Sequence, residues 1–362
     1  MSKLPDSKII YRSIDVLLFD PLNPRVPVSR RSSGQESIIQ YMIDNENLID
    51  VIASIGEQNF FPGEPLLVVK SSTEQDKYDV VEGNRRLASL FVLNNLELVT
   101  SKKNAIRQLV EEAKFKPDSV PTLLFDTRDE ILDYLGYKHI TGIDDWDSLQ
   151  KARFLTQLAS RHTSNGLSGH DLYKHLAKLI GSRSDYVMKL LSGFKIYNVV
   201  ESNDFYDIPG LDEETFSFSL LTTAASYSNI REFIGISDAD SAFSFDESNL
   251  SLLVDWMFRK SSEGTTRIPE SRALKTLNAV VKTDIALKKF KEGRTLEEAG
   301  LLTSEPRENF HLLMSQAYQR LLLAQDSVHH ISDFKEEDKS LSNDIKNLSK
   351  IIHTMVLHSN ED

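Results

Sequence analysis

The sequence predicts an α+β domain followed by an all-α region that contains a helix-turn-helix. Three observations predict this fold class. Apolar runs with strand character occur in the first 140 residues, strand signals nearly vanish from about Asp144, and two closely spaced amphipathic helical patterns follow in residues 167–197. We therefore expect three parts, which comprise residues 1–143, 144–200 and 201–362.

Composition limits the possible functions. The chain has 362 residues, of which 40% are hydrophobic and 27% charged, as is typical of a globular protein with more than one core. It has no cysteine, so disulfides, thiolate metal ligands and cysteine nucleophiles are excluded, and this fits a reducing compartment. The net charge of -12 argues against a surface that coats nucleic acid or membranes as a whole, but a local basic patch is compatible with it. The sequence shows neither a signal peptide nor a long apolar stretch, so we expect a cytoplasmic protein without a membrane partner.

The first part alternates strand and helix signals. The predicted elements are a strand, two helices, a pair of strands and a last strand, at residues 14–19, 38–43, 48–55, 66–70, 78–81 and 120–125. Prolines within residues 20–25 and 59–65 interrupt the pattern, because proline favours turns and the starts of new elements. The alternation predicts an α+β domain.

Two arginines stand where the predicted strand 78–81 gives way to a helical pattern. Gly83 would lie in the turn, and Arg85 and Arg86 would lie in the first helical turn. The first amides of a helix lack intrahelical acceptors, and an arginine offers a bidentate fork to phosphate. The pattern therefore predicts an anion site, to which Asn23 and Arg25 are further candidates. The alternative is that the two arginines pair with surface acids.

The helix-turn-helix is predicted in residues 167–197. Two capping-box patterns, Ser168 with Asp171 and Ser182 with Asp185, each precede an apolar helix face, and Gly181 supplies the turn. Residues 161–200 contain six Lys or Arg against two acids. The start of the second helix contacts DNA in this motif, so we predict a DNA-binding set of Ser182, Arg183, Ser184, Tyr186 and Lys189. The alternative is a helix-turn-helix that only packs against other parts of the protein and does not contact DNA.

Taken in order, these motifs resemble the ParB family, whose members carry a ParB/sulfiredoxin-type domain followed by a helix-turn-helix domain. The resemblance spans residues 9–198: it includes Asn-Pro-Arg at 23–25 and VVEGNRRLASL, which is similar to the family's Gly-Glu-Arg-Arg motif. The resemblance implies a homodimer that binds DNA and a nucleoside triphosphate, CTP or ATP, with or without Mg²⁺. The implied nucleotide-binding residues are Asn23, Arg25, Glu82, Gly83, Asn84, Arg85, Arg86, Lys138 and His139.

The sequence departs from the family at two places. Asn84 stands where the family motif has Glu, and the acid lies at Glu82 instead. The family's Glu-Asn-x-x-Arg motif is replaced by YKHITG at residues 137–142, which argues against ParB-like CTP hydrolysis but leaves Lys138 and His139 to meet a phosphate. Sulfiredoxin activity is excluded because it needs a catalytic cysteine.

The last part carries no motif that indicates a chemistry. Residues 201–260 are acidic, which favours a solvated surface or a protein contact, and we interpret the basic positions in 267–300 as a solvated helix rather than a second phosphate patch. Two long helical patterns at 310–331 and 341–355 predict a helical hairpin that contributes to a dimer. The nine histidines form no metal-binding motif, so we predict no metal site.

The first functional hypothesis is a ParB-like DNA-binding protein whose N-terminal domain binds a nucleoside triphosphate and thereby regulates its engagement with DNA or a partner. The second is a nuclease or nucleotide-hydrolysing enzyme, with Glu82 or Asp79 as its acid. The third is a non-enzymatic adaptor of a plasmid, prophage or phage-defence system, in which the acidic and C-terminal helices recruit protein partners.

Overall fold

The computed structural model describes residues 8–140, 146–164, 166–236, 245–303 and 306–358. These residues form two compact units, Met1–Lys282 and Thr283–Asp362. The strands lie before residue 126 and the elements after it are helical, which confirms the predicted α+β domain followed by an all-α region. The predicted domain boundaries at residues 143 and 200 fall inside the first unit and stay a prediction.

A mixed sheet organises the first part of the chain. Its described strands have the order β1-β5-β3-β4-β2. β3 and β4 are an antiparallel pair, β2 runs parallel to β4, β5 runs parallel to β3, and β1 is antiparallel to β5. The strands β1 to β5 lie at Ile10–Ser13, Leu17–Phe19, Leu66–Lys70, Tyr78–Glu82 and Ser119–Phe125.

Two details of the sheet differ from the sequence prediction. β1 was not predicted, because it lies at the edge of the sheet and its Ile10 and Tyr11 are half exposed, so no apolar run marks it. The strand predicted from residue 14 begins at Leu17, because Ile14–Val16 is a short 3₁₀ turn whose Asp15 amide donates a hydrogen bond to the Ser13 hydroxyl. The other predicted strands are confirmed.

Helices cover one face of the sheet and form the core with it. Ile39 of α2, Ile52 of α3 and Leu87 of α4 are fully buried in one cluster with Val68 and Val80 of the sheet. This burial explains the three- and four-residue apolar spacing that predicted α2 and α3. The helices α1 to α6 lie at Val28–Ser32, Gln35–Asn45, Leu48–Gln58, Asn84–Asn94, Lys103–Glu112 and Asp129–Ile140.

The remaining helices of the first unit include the predicted helix-turn-helix, which is formed by α8 and α9. Its apolar faces pack as predicted, with Leu172, Leu176, Val187 and Leu190 buried. Helices α7 to α13 lie at Ser148–Thr163, Gly169–Ile180, Ser184–Ser202, Phe218–Ala224, Ser228–Phe233, Glu247–Phe258 and Ala273–Lys282.

The second unit contains α14 to α17, at Asp284–Lys291, Leu296–Leu301, Pro306–Val328 and Glu336–His358. The two long helices α16 and α17 were predicted, and α17 extends beyond its predicted range at both ends. Over the ranges that the structure describes, no helix combines the length and the apolar character that a membrane span requires.

The acidic segment after α9 has some of its acids paired within the chain, and the expectation that its exposed face is a solvated surface or a protein contact stays a prediction. Glu213 forms a buried ion pair with Arg153 and also accepts a hydrogen bond from the Ser29 hydroxyl at 3.3 Å. The neighbouring Glu214 pairs with Arg30 at 2.5 Å. Burial raises the pKa of Glu213, and the charge of Arg153 opposes that rise. These acids therefore attach the segment to α1 and α7.

Candidate functional site

A cleft of about 250 Å³ lies at the N-terminus of α4. Three stretches of chain form it: the turn after β2, the junction of β4 with α4, and the end of α6 together with Trp146. All nine residues that the sequence and its resemblance indicated for nucleotide binding line this cleft, namely Asn23, Arg25, Glu82, Gly83, Asn84, Arg85, Arg86, Lys138 and His139.

Gly83 makes the turn from strand to helix. It is the N-cap of α4 and has φ 101°, a backbone conformation that side chains with a Cβ adopt at a cost. A Cβ at this position would also collide with Cδ2 of Leu66. The turn therefore requires glycine, and it directs the first amides of α4 towards the cleft residues, where no earlier turn of helix can accept their hydrogen bonds.

Asn84 connects this helix start to the turn after β2. Its side-chain oxygen accepts a hydrogen bond from the Asp20 amide at 3.2 Å, and its Nδ2 donates to the Val80 carbonyl at 2.7 Å. The side chain is buried. The side chain is therefore engaged in these bonds, and only the backbone amide of Asn84 remains to contact a ligand. The side chain instead connects the start of α4 to the turn after β2.

Glu82 is the centre of a cluster of charges. Its two carboxylate oxygens lie 2.8 Å from Lys138 Nζ and 2.8 Å from His139 Nε2, and Arg86 NH2 lies 3.7 Å away. Burial favours a higher pKa for this carboxyl, but the hydrogen bond and charge of His139 and the charge of Lys138 outweigh it and lower the pKa of Glu82 to about 2. Burial likewise favours a lower pKa for Lys138, yet the Glu82 charge raises it. Glu82 is therefore ionised at neutral pH.

The arginines are held by contacts on several sides. Arg86 donates to the Glu64 carbonyl, lies 3.5 Å from the Glu64 carboxylate, and has its guanidinium 5.7 Å from the centre of the Phe60 ring. Arg85 NH2 lies 3.4 Å from the Asn47 carbonyl. Because the Arg86 side chain is only 19% exposed, its position is fixed before any ligand arrives.

The turn after β2 supplies the third wall. The Asn23 oxygen accepts from the Arg25 amide at 3.0 Å, while Asn23 Nδ2 is buried and has no hydrogen-bond partner among the described residues. Arg25 pairs with Glu46 at 2.5 Å, and Glu46 also accepts from Gln150 Nε2 at 2.7 Å. A buried donor without an acceptor is costly, so Asn23 is a position where a ligand oxygen would be favourable.

The structure adds residues that the sequence did not indicate. Trp146 stacks on the His139 ring at 4.5 Å, and Glu64 lines the cleft beside Arg86. The sequence has two tryptophans, and Trp146 follows Lys138 and His139 closely. This proximity is the one sequence signal that could have indicated Trp146 as a cleft residue. The alternative acid Asp79 is buried in β4 and does not line the cleft, so its predicted place at the site is wrong.

The helix-turn-helix differs from prediction at its caps. Ser168 is the N-cap of α8 but its side chain makes no capping bond, and the N-cap of α9 is Arg183 rather than Ser182. The reason is that Gly181, with φ 67°, ends α8 and the Ser182 amide still bonds back to the Ala177 carbonyl at 2.8 Å. Neither predicted capping box is formed.

The predicted DNA-binding residues lie together at the start of α9. Arg183 is 82% exposed and its guanidinium forms a two-pronged contact with the Asp185 carboxylate. Ser182, Ser184, Tyr186 and Lys189 are partly exposed, while Val187 between them is buried in the core of the motif. The structure thus presents one short polar surface, and in the described ranges it shows no group of three His, Asp or Glu that would hold a metal.

The chain is similar to solved structures of known proteins. No protein-family model and no curated protein matches the chain. A structure of C-terminally truncated ParB from Caulobacter crescentus with CTP-gamma-S matches over 61% of this chain and 93% of that chain, with 15% identity and a TM-score of 0.22. A second structure of truncated ParB, complexed to the centromeric parS site, matches over 62% and 88%, with 14% identity and a TM-score of 0.32. Both of these structures are of ParB.

Proposed function

We propose that the chain binds the phosphates of a nucleoside triphosphate in the cleft at the start of α4, and that this occupancy regulates DNA binding through α9. One observation carries the proposal: nine residues from three distant stretches of the sequence converge on a single cleft around a helix N-terminus. The nucleotide is CTP or ATP, with or without Mg²⁺. Cytoplasmic location and a role in phage defence stay predictions.

The charge of the cleft suits an anion. Among its described lining residues, four cationic side chains stand against two carboxylates. One of those carboxylates, Glu82, offsets part of the charge of Lys138 and Arg86, and Glu46, which is not among the lining residues, pairs with Arg25. Together with the α4 dipole and its unsatisfied amides, this arrangement favours phosphate oxygens over a neutral ligand.

The geometry supports binding more than catalysis. A general base works best with a pKa near neutrality, and the pKa of Glu82 is lowered to about 2 by His139 and Lys138 against the effect of burial. Such a carboxylate is a weak base and is never protonated at neutral pH, so it is no general acid either. Asp79 does not line the cleft, and Glu64, the other carboxylate among the described lining residues, lies 3.5 Å from Arg86, so the cleft favours binding over the nuclease or hydrolase alternative.

The test of nucleotide binding is the double variant Arg85→Ala, Arg86→Ala. Loss of two charge-assisted phosphate contacts is expected to weaken binding by at least about a hundredfold. Isothermal titration with CTP, ATP and GTP, each with and without Mg²⁺, measures it. The matched control removes two exposed cations of α5, Lys103→Ala and Arg107→Ala, and is expected to bind as the parent does. Equal affinity of the Arg85, Arg86 variant and the parent would refute the proposal.

The test of DNA binding reverses charge at the start of α9. The protein is acidic overall, so DNA affinity should depend on few phosphate contacts and fall clearly but modestly with added salt. Arg183→Glu with Lys189→Glu is expected to remove duplex binding in an anisotropy titration at two salt concentrations. Lys288→Glu with Lys289→Glu, which lies in α14, is the control and should change little. If the control variant loses binding while the α9 variant keeps it, the proposed surface is wrong.

The DNA-binding experiment also tests the adaptor hypothesis. Absence of duplex binding by the parent, with or without nucleotide, would favour the adaptor hypothesis.

A homodimer through α16 and α17 is part of the proposal, because apolar side chains of both helices, such as Leu323, Leu341 and Leu348, are more than half exposed in the chain.

A further inference from the structure

A separate cavity of about 230 Å³ is formed by α2, the start of α7 and the segment that leads into α10. None of its described wall residues belongs to the wall of the cleft at the start of α4. Sites for drug-sized ligands usually have volumes of about 300–1,000 Å³, and this cavity is smaller. Its size therefore suits a small molecule.

We propose that this cavity binds a small aliphatic amine in its protonated form. The wall combines three features that such a cation needs: a carboxylate without a counter-ion, a buried hydroxyl without a hydrogen-bond partner among the described residues, and aromatic side chains. Asp147 supplies the first, Tyr41 the second, and Phe216 and Phe218 the third. The inference goes beyond nucleotide and DNA binding and does not depend on either.

The charge of the wall favours a cation. Three carboxylates, those of Asp147, Glu213 and Glu214, line the described part of the cavity against one cation, Arg153. Glu213 pairs with Arg153, and Glu214 pairs at 2.5 Å with Arg30, which lies outside the wall. The remaining carboxylate, Asp147, gives the cavity a negative charge that a cationic ligand would neutralise.

Asp147 is placed to contact such a ligand. It is the N-cap of α7, and its Oδ1 accepts a hydrogen bond from the Gln150 amide at 2.8 Å. In the part of the chain that the structure describes, Asp147 has no ion-pair partner, so its second oxygen is left for a donor. A hydrogen bond between two charged groups is stronger than one between neutral groups.

The Tyr41 side chain is 9% exposed, and its hydroxyl makes no hydrogen bond within the described ranges. Burial raises the pKa of Tyr41, and the charges of Glu46 and Asp147 raise it further, so the hydroxyl is protonated at neutral pH and lies near the Asp147 carboxylate. A buried hydroxyl without a partner is costly. Because its oxygen can accept a hydrogen bond, an ammonium group satisfies both Tyr41 and Asp147.

The aromatic side chains favour an organic cation over a metal ion. Phe216 and Phe218 are buried and line the cavity together with the Tyr41 ring. An ammonium group is attracted to the face of an aromatic ring, and the ring also covers the hydrocarbon part of an amine. Although three carboxylates line the cavity, no three His, Asp or Glu in the described ranges are placed to hold a metal ion.

The experiment compares two probes of equal length that differ in charge. Titration calorimetry of the full chain, at constant ionic strength, measures the Kd of putrescine and of its neutral counterpart butanediol. We expect putrescine to bind at least about tenfold more tightly, because only its ammonium groups form charge-assisted hydrogen bonds. Equal affinities, or no putrescine binding by the parent, would overturn the proposal.

A lysine side chain of another protein carries the same ammonium group. The titration therefore includes a lysine whose backbone ends are both blocked. We expect it to bind more weakly than putrescine, because the cavity of about 230 Å³ has little room for a peptide backbone beside the side chain. Tighter binding of the blocked lysine would overturn the assignment to a small free amine.

The first variant is Asp147→Asn, which removes the charge and keeps an oxygen that caps α7. It is expected to weaken putrescine binding by about tenfold or more. The matched control is Asp246→Asn at the N-cap of α12, where the side chain also accepts from an amide three residues later and does not line the cavity. An equal loss in both variants would indicate general attraction to an acidic protein and would overturn the site.

The second variant is Tyr41→Phe, which removes only the hydroxyl and is expected to weaken putrescine binding by about fivefold. Its control is Tyr206→Phe, since the Tyr206 hydroxyl is also buried without a partner among the described residues but lies outside the cavity wall. Thermal denaturation checks that each variant is folded. Parent-like putrescine affinity in both folded Asp147→Asn and folded Tyr41→Phe would overturn the proposal.

Discussion

The starts of α4 and α9 have similar local sequences and different surroundings. Each follows a glycine with positive φ, Gly83 at 101° and Gly181 at 67°, and each has an arginine at or near its first turn. At α4 the Arg86 side chain is 19% exposed and is held by Glu64, Glu82 and Phe60. At α9 the Arg183 side chain is 82% exposed and contacts Asp185 alone among the interactions described for it.

The chain therefore contains two kinds of helix start with arginine, one packed and one exposed, and packing distinguishes them. A fixed arginine inside a cleft loses little conformational entropy on binding a small anion, so it suits a single phosphate chain. A solvated arginine on a helix surface adapts to a long polyanion and contributes mainly long-range, salt-sensitive attraction. The three predictions below test whether the two starts differ in this way.

The largest effect is expected from Gly83→Ala. The substitution combines backbone strain at φ 101° with a collision against Leu66, and we expect it to lower the free energy of unfolding by about 3–4 kcal/mol. The matched control is Gly293→Ala at the end of α14, where φ is also 101° but no atom lies within 4 Å of the added Cβ. Urea denaturation of both variants should show the Gly293 variant losing only the backbone strain, about 1–2 kcal/mol. Equal losses of unfolding free energy in the two variants would mean that the close contact between Gly83 and Leu66 does not affect stability.

The second effect concerns Glu82 and depends on pH. Its pKa is lowered from 4.5 to about 2 in the folded chain, since the contacts with His139 and Lys138 outweigh burial. A lowered pKa means that the carboxylate stabilises the fold above about pH 4.5 and that this contribution disappears as the pH falls towards 2. The shift corresponds to about 3 kcal/mol.

The free energy of unfolding of the Glu82→Gln variant should therefore be lower than that of the parent by up to about 3 kcal/mol near neutral pH. The difference between the two proteins should shrink as the pH is lowered from about 4.5 towards 2, because the parent loses the same contribution. Urea denaturation at a series of pH values measures it. A difference that is independent of pH across this window would show that the Glu82 cluster does not stabilise the charged form.

The smallest effect is expected from Arg183→Ala. Exposed ion pairs contribute little because water and salt screen them, so the free energy of unfolding should equal that of the parent within the error of the measurement. Thermal and urea denaturation measure it, and nucleotide affinity should also equal that of the parent. A clear loss of stability in this variant would show that the start of α9 is held in place as firmly as that of α4.

Sequence reasoning identified the elements with strong periodicity and missed those without it. The buried strands and α2 and α3 carry apolar spacing that burial requires, and they were predicted. β1 was missed because an edge strand keeps Ile10 and Tyr11 partly in solvent, and α5 and α6 were left unassigned. Ser168 is the N-cap of α8 as predicted but forms no capping box, and the N-cap of α9 was predicted wrongly, because Gly181 and the Ser182 amide still belong to the end of α8.

The candidate site was predictable where the motif is local. Gly83, Arg85 and Arg86 lie at the helix start that the sequence indicated, with Asn23 and Arg25 as further candidates. The resemblance added Lys138 and His139 from elsewhere in the chain. The pairing of Glu82 with Lys138, by contrast, is a tertiary contact that no spacing of residues in the sequence predicts. The inward role of the Asn84 side chain is another such contact, because it depends on the Asp20 amide across the fold.

The construction of the cleft has a consequence for how the chain resists unfolding. Its walls come from residues 23–25, 82–86 and 138–139, which are far apart in the sequence and meet only in the folded protein. A phosphate that contacts all three acts as a non-covalent cross-link between them. At a ligand concentration about a hundredfold above Kd, such a cross-link adds about 2.7 kcal/mol to the free energy of unfolding. Resistance to limited proteolysis in residues 20–30 and 126–140 should therefore increase with occupancy, which makes the loaded state detectable without any measurement of DNA binding.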